Sequence, residues 1–260
     1  MTDLPPPGAT PDLLRAEAVR KTFGALAAVD RVDLTLQDGV LAAIIGPNGA
    51  GKTTLINLLS GALAPDGGRV FFQGQEITHL PVHARVRLGL TRSFQVMNVF
   101  PRLTVRENVL LPVLARRRPA LSPLGRLDAD RDALDEAEAL LQEVGLLSEA
   151  HREAATLAHG DQRRLELAIA VAPRPVLCFL DEPSSGMTPP ERAMVLDLVR
   201  RLARERRTTF VVVEHDMDVV FALAARIIVM NRGRVLADGP PEAIRANPQV
   251  REVYLGEEAP

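Results

Sequence analysis

The chain has 260 residues, 47% hydrophobic and 25% charged, enough for one large domain with a sizeable core. Its 31 basic and 33 acidic residues leave a net charge of -2, which argues against a general nucleic-acid binder. A single cysteine, Cys178, excludes an internal disulfide and zinc sites built from several cysteines, and no window reaches the ~18 consecutive apolar residues of a membrane span. The longest apolar run, 219–230, carries Arg226, so the reading is a soluble protein whose membrane role would need a spanning partner. Of the basic residues only Lys21 and Lys52 are lysines, against 29 arginines; the plain reading is compositional drift toward arginine, and the other is that a surviving lysine stands where arginine cannot replace it.

In chain order, residues 1–12 hold Pro5, Pro6, Pro7 and Pro11 without an apolar stretch. They read as a disordered tail and not as a signal peptide. Residues 13–19 and 32–36 alternate as strands do. Residues 40–45 form a continuous apolar run that meets Gly46, as a buried strand would. A helix follows over 52–60, and a short strand over 69–72 follows a turn at Asp66, Gly67 and Gly68.

From Leu103 to about His159 the pattern is helical. One helix runs from Thr104 to about Leu111, with Thr104 and Glu107 spaced as a capping box and Pro112 placed to end or kink it. Residues 116–127 read as a loop. Residues 128–144 form an amphipathic helix with Leu134, Ala137, Leu140, Leu141 and Val144 on one stripe. After Gly160 the alternation returns: helix 161–171, strand 176–180, helix 190–206, strand 208–213, short strands near 227–230 and 234–237, then a helical tail. The sum is an α/β core with a helical insertion of roughly 60 residues.

Two motifs carry the chemistry. Gly46, Pro47, Asn48, Gly49, Ala50, Gly51, Lys52 and Thr53 fit the phosphate loop G-x-x-x-x-G-K-[ST] between a strand and a helix. Its glycines let backbone N–H groups curl around phosphate oxygens, aided by the helix N-terminus. Lys52 is a compact charge for the β- and γ-phosphates, and Thr53 offers a hydroxyl to Mg2+. The apolar run 176–180 then delivers Asp181 and Glu182 at a strand's C-terminal end, where α/β folds bind ligands. Asp181 suits Mg2+, and Glu182 suits an attacking water. Cys178, inside that strand, reads as inert core.

Further stretches narrow the choice. Residues 156–164 (TLAHGDQRR) resemble the signature loop of ATP-binding cassette (ABC) ATPases. Residues 91–95 (TRSFQ) look like that family's Q-loop, and 213–216 (VEHD) match its switch histidine. With EPSSG at 182–186 they stand in the family's order, and the resemblance covers about residues 13–256. It implies a P-loop NTPase (RecA-like) core, 13–95 and 160–260, with an antiparallel β subdomain and a helical subdomain at about 96–159.

The resemblance further implies two ATPs held between head-to-tail subunits. Lys52, Thr53, Thr54 and the loop before them would hold nucleotide on one side, and Ala158, His159, Gly160 and Asp161 on the other. Gln95 would contact Mg2+ and the water, His215 would hold the γ-phosphate, and Phe23 would stack on adenine; the other reading of Phe23 is a core residue after a strand. His159 otherwise reads as solvent-facing. Three departures stand out: Ala158 replaces the signature serine, Asp161 replaces a Gln or Glu, and Thr188 replaces the usual acidic residue of the D-loop.

Residues 93–105 (SFQVMNVFPRLTV), 214–217 (EHDM) and 247–256 (NPQVREVYLG) look like the ATPase subunits of branched-chain amino acid importers, closer to the LivG type than to its LivF-type sister. That subgroup also serves urea and short amides. The implied cofactors are ATP and Mg2+. The implied partners are transmembrane permease subunits, a second ATPase subunit (sister or self) and, indirectly, a periplasmic binding protein, with no nucleic acid. The implied place is the cytoplasmic face of the membrane, with Phe100 and Leu103 as docking residues or as plain core of the helical insert. A soluble ABC protein acting away from membranes is the remote alternative.

Overall fold

The computed structural model describes residues 12–93, 99–117, 130–206 and 208–255. Gln95, most of the expected loop 116–127 and the Pro-rich tail before Asp12 lie outside these residues. The chain divides into two compact units, one of Met1–Arg85 with Thr209–Pro260 and one of Val86–Thr208.

In the first unit β1 (Asp12–Phe23) pairs antiparallel with β2 (Leu26–Gln37) and with β4 (Gly67–Phe72), and β4 pairs with β5 (Gln75–Glu76), giving the sheet order β2-β1-β4-β5. Val32, Leu34 and Leu36 are buried as the alternation requires; in β1 the alternation breaks, since Leu13 is buried beside Leu14 and a register shift after Ala16 brings Val19 inward. Both long strands outrun the sequence reading, because Arg20, Lys21 and Thr22 continue β1 without apolar alternation. The expected turn at 66–68 is also shorter, since Gly67 and Gly68 already belong to β4.

The second sheet of this unit centres on β3 (Ala42–Ile45), whose four residues are all buried. It runs parallel to β8 (Thr209–Val213) and β9 (Arg226–Asn231), and β9 turns back antiparallel into β10 (Arg234–Gly239). Parallel strands covered on both faces read as unbroken apolar runs, which is why these were visible in the sequence. Between β3 and β4 lies α1 (Lys52–Ser60). After β8 come α7 (Met217–Leu223), capped by Asp216, whose Oδ1 accepts from Asp218 N at 3.0 Å, then α8 (Pro241–Ala246) and α9 (Pro248–Leu255). Ala43, Ile45, Val220, Ile227, Val229, Ile244 and Val250 form one buried cluster joining them.

In the second unit β6 (Leu90–Arg92) runs parallel to β7 (Leu177–Asp181), around helices α3 (Val105–Arg117), α4 (Arg131–Glu143), α5 (His159–Val171) and α6 (Pro189–Arg206). The short α2 (Val82–Arg87) precedes β6. The capping box opens α3 as expected: Thr104 N donates to Glu107 Oε2 at 2.8 Å, and Glu107 N donates to Thr104 Oγ1 at 3.2 Å.

Pro112 does not end that helix, which runs on to Arg117. The ring forfeits the bond to the carbonyl four residues back. The turn beyond it nevertheless buries Val113 and Leu114, and Arg116 Nη2 lies 2.7 Å from Glu136 Oε1 of α4. The expected helix 128–144 begins instead at Arg131, because Asp130 accepts from Ala133 N at 3.1 Å as its N-cap. On its buried face Ala133 replaces Leu134, which is half-buried.

Candidate nucleotide site

The first unit carries the phosphate loop. β3 ends at Ile45, and the loop 46–51 leads directly into α1. Two glycines show why the motif needs them. Gly46 has φ 153° and Gly51 φ 98°; a Cβ on Gly46 would lie 2.2 Å from Met230 O, and one on Gly51 would lie 2.2 Å from Ala28 O. The loop is thus wedged between β2 and the β9–β10 turn. Gly233 N donates to Ala50 O at 2.9 Å, and Asp30 N donates to Gly233 O at 2.8 Å, which fastens that wedge.

Asn48 and Gly49 stay exposed at the loop's crest, above a cavity of about 300 Å3 lined by Pro47, Asn48, Gly49, Ala50, Asn231, Arg232 and Val253. α1 has no acidic residue in its first turn, and Gly51 at its N-cap brings no side-chain acceptor. Its leading amides therefore present positive partial charge with no carboxylate competing for it. Lys52 folds back over the loop, with Nζ 2.6 Å from Gly46 O and 3.1 Å from Pro47 O. Thr53 and Thr54 are half-buried in the first turn behind it.

Phe23 ends β1 with 52% of its surface exposed, so it is not a core residue. Lys21 Nζ stands 6.0 Å from its ring centroid. Lys21 has a structural explanation that the sequence lacked: its ammonium donates to Ala64 O at 2.9 Å and to Asp66 Oδ1 at 2.8 Å, clamping β1 to the segment before β4. His215 is exposed just after β8, beside the fully buried Glu214.

The second unit carries Asp181, Glu182 and the expected signature segment. Asp181 closes β7 with a side chain 0% exposed, and its Oδ2 lies 2.8 Å from Arg92 Nη2. Its Oδ1 is buried and has no hydrogen-bond partner among the described residues. Glu182 follows at φ 49°, a left-handed conformation unusual for a residue with a Cβ. Cys178 is fully buried and burial pushes its thiol up to about 12, as inert core should be.

Ala158 sits at the N-cap of α5 in extended conformation, so no side chain caps that helix. His159 is exposed and Gly160 buried; a Cβ on Gly160 would lie 2.9 Å from Glu191 Oε1. Asp161 turns along its own helix to bond Arg164. Thr188 opens α6: its N and Oγ1 donate to Glu191 Oε2 at 2.9 and 2.7 Å. These Thr188 bonds, with the charge of His159, hold the Glu191 carboxyl below its ordinary value.

Phe100 is 57% exposed and Leu103 half-buried. The backbone of Phe100 is gripped by the buried Asn108, whose Oδ1 accepts from Phe100 N at 2.7 Å and whose Nδ2 donates to Phe100 O at 3.0 Å. Sequence reasoning missed Arg92, Asn108 and Asp66, whose partners are brought to them by the fold.

A family model described as ABC transporter matches residues 29–185, and one described as branched-chain amino acid ATP-binding cassette transporter matches residues 234–260. The chain is 40% identical over 251 residues to the high-affinity branched-chain amino acid transport ATP-binding protein LivG of Escherichia coli K12, covering 94% of this chain and 98% of that one. It is likewise 40% identical over 253 residues to BraF of Pseudomonas aeruginosa, described in the same words, covering 94% and 98%. Among solved structures it resembles the ADP conformation of MJ1267, an ATP-binding cassette of an ABC transporter, with TM-score 0.84, 30% identity and coverage of 95% and 100%. It also resembles the dimeric post-hydrolysis cassette MJ0796 bound to ADP and Pi, with TM-score 0.76, 26% identity and coverage of 88% and 98%. The phosphate loop leading into α1, the strand-end carboxylates and this breadth of likeness make the chain a member of the ABC transporter family, as a nucleotide-binding cassette.

Proposed function

We propose that the chain binds and hydrolyses ATP as the motor subunit of an importer for branched-chain amino acids. The observation that carries the substrate class is the match of residues 234–260 to the branched-chain amino acid cassette model. The likeness to LivG and BraF over 94% of the chain supports it. Among the described residues no helix is long and apolar enough to cross a membrane, so transport needs transmembrane subunits as partners. The exposed Phe100, held by Asn108, is a fitting contact for them. The chain would then sit peripherally on the cytoplasmic face of the membrane.

In this reading the amides of residues 46–51 and the N-terminus of α1 receive the phosphates, and Lys52 moves from the loop carbonyls onto them. Phe23 supplies an exposed ring for adenine. By its chemistry each unit holds an oxygen that suits Mg2+: in one, Asp181 has a buried oxygen with no hydrogen-bond partner among the described residues, and in the other Thr53 has a hydroxyl. When bound, Mg2+ would neutralise phosphate charge as the γ-phosphate departs.

Glu182 would polarise the attacking water, His215 would steady the γ-phosphate, and Gln95 would report occupancy. From a second cassette, arranged head to tail, the uncapped amides of α5 at Ala158, His159 and Gly160 would close on the γ-phosphate. With no serine at 158, and with Asp161 drawn to Arg164, the amides carry that contact alone. The missing hydroxyl bond is worth about 0.5–1.5 kcal/mol, so closure is weaker and not lost.

The test is reconstitution with its transmembrane and sister subunits in vesicles carrying a binding protein. ATP-dependent uptake of leucine, isoleucine or valine is expected. Uptake of urea or short amides instead would move the substrate class, and ATP hydrolysis without any uptake would remove the transport role.

A further inference from the structure

Asp181 and Arg92 form a deeply buried ion pair, with side chains 0% and 5% exposed and Arg92 Nη2 at 2.8 Å from Asp181 Oδ2. The pair is framed by main-chain bonds. β6 and β7 pair in parallel with Arg92 opposite Phe179. Ser93 N donates to Phe179 O at 2.8 Å, and Asp181 N donates to Ser93 Oγ at 3.3 Å. The end of β6 is therefore fixed to the end of β7 by one backbone bond, one bond from backbone to the Ser93 hydroxyl and one buried charge pair. The geometry leaves Asp181 Oδ2 committed and Oδ1 bare.

We propose that Arg92 is a positioning residue for divalent-cation binding: it holds Asp181 by one oxygen, leaves the other as the metal-facing oxygen, and competes electrostatically with the cation for the same carboxylate. The proposal rests on the reading of Asp181 as the Mg2+ carboxylate. Its logic is Coulombic. A carboxylate this deeply buried requires a counter-charge, and without metal the guanidinium supplies it. A cation arriving at Oδ1 shares the carboxylate with Arg92 and is repelled by it at short range in a poorly screened site. Metal therefore binds more weakly than it would to the bare carboxylate, and its arrival loosens Arg92's hold.

The experiment uses the full chain with ADP and Mn2+, whose binding is followed by electron paramagnetic resonance. Arg92→Gln is expected to tighten Mn2+ in the presence of ADP on the order of tenfold, and Arg92→Lys is expected to fall between it and the original chain. In an Asp181→Asn background, Arg92→Gln is expected to leave the Mn2+ midpoint where it was, because the carboxylate through which Arg92 acts is gone. An unchanged or weaker Mn2+ midpoint in both Arg92 variants overturns the proposal, as does an equal tightening in the Asp181→Asn background. If Arg92→Gln does not fold, Arg92→Lys alone decides by the direction of its shift. ADP binding with EDTA separates this from the nucleotide reading. Loss of metal-free ADP binding in the original chain would overturn that reading, whereas a normal value with unshifted Mn2+ midpoints overturns only the role of Arg92.

Discussion

Arg85 places Nη1 2.6 Å from the carbonyl oxygen of Leu59, in the closing turn of the helix that begins with Lys52. The same guanidinium reaches Leu58 O at 3.1 Å, Thr78 O at 3.0 Å and Leu80 O at 2.9 Å, and is 1% exposed. Burial pulls it down to about 10, still protonated at neutral pH. α1 is thus organised at both ends: its bare amides face the phosphate loop and its last carbonyls face a buried cation, the arrangement a helix dipole favours. Arg85→Met would strand these carbonyls in the core. Each buried group left without a partner costs about 1–3 kcal/mol, so a loss of at least about 3 kcal/mol is expected in urea unfolding. Arg85→Lys should recover little, since one ammonium cannot span the fork. A loss below about 1 kcal/mol for Arg85→Met would show that solvent replaces the guanidinium.

What the sequence made legible was local. The phosphate loop and α1 are a contiguous pattern, and residues 52–60 form the expected helix. Thr104 and Glu107 are three positions apart, and their box closes as expected. The buried strands β3, β7 and β8 announced themselves as apolar runs. What stayed hidden depends on distant partners: Arg85 is 26 positions from Leu59, Lys21 is 45 from Asp66, and Arg92 is 89 from Asp181. Pro112 misled because helix propensity is a local penalty, and the packing of Val113 and Leu114 outweighs it. The pairing of Asp161 with Arg164 was within reach, because a helix beginning at His159 puts them three apart on one face.

Lys52 tests the nucleotide site itself. Its ammonium already rests on Gly46 O and Pro47 O, inside a cradle that a planar guanidinium would overfill. Lys52→Ala is expected to abolish ATP binding at micromolar concentrations, and Lys52→Arg is expected not to restore it. Calorimetry decides, and an unchanged affinity in the alanine variant would remove the phosphate-loop assignment.

Asp66 sets part of the acid response. Lys21 Nζ bonds its Oδ1, and Thr22 N and Oγ1 each lie 2.7 Å from its Oδ2. The bond from Lys21, then those from Thr22, hold the carboxyl well below the usual carboxylate range. A depressed carboxylate contributes stability that is present above its unfolded value of 3.8 and lost as pH falls from there through the folded value. Asp66→Asn should therefore be less stable than the original chain near neutral pH, with the gap narrowing as pH drops below about 4. Urea unfolding across that range checks the sign. A gap that widens on acidification would mean that the clamp acts through shape and not through charge.

Glu182 joins chemistry to strain. It stands in the left-handed region at φ 49°, directly after the last residue of β7. For a residue with a Cβ that conformation costs roughly 1–2 kcal/mol, a cost that tends to persist where function requires the side chain's placement. Comparing two variants that both lack the carboxylate isolates the backbone. At an ordinary position Gly is less stable than Ala, but here Glu182→Gly should exceed Glu182→Ala by about 1 kcal/mol, because only glycine is at ease at this φ. Glu182→Gln keeps the strain and the shape but not the charge, so its stability should match the original chain while hydrolysis falls and ATP-bound cassettes accumulate as dimers in sedimentation. If Glu182→Ala proves as stable as Glu182→Gly, the backbone there is relaxed. If Glu182→Gln hydrolyses at the original rate, the water is activated by another group.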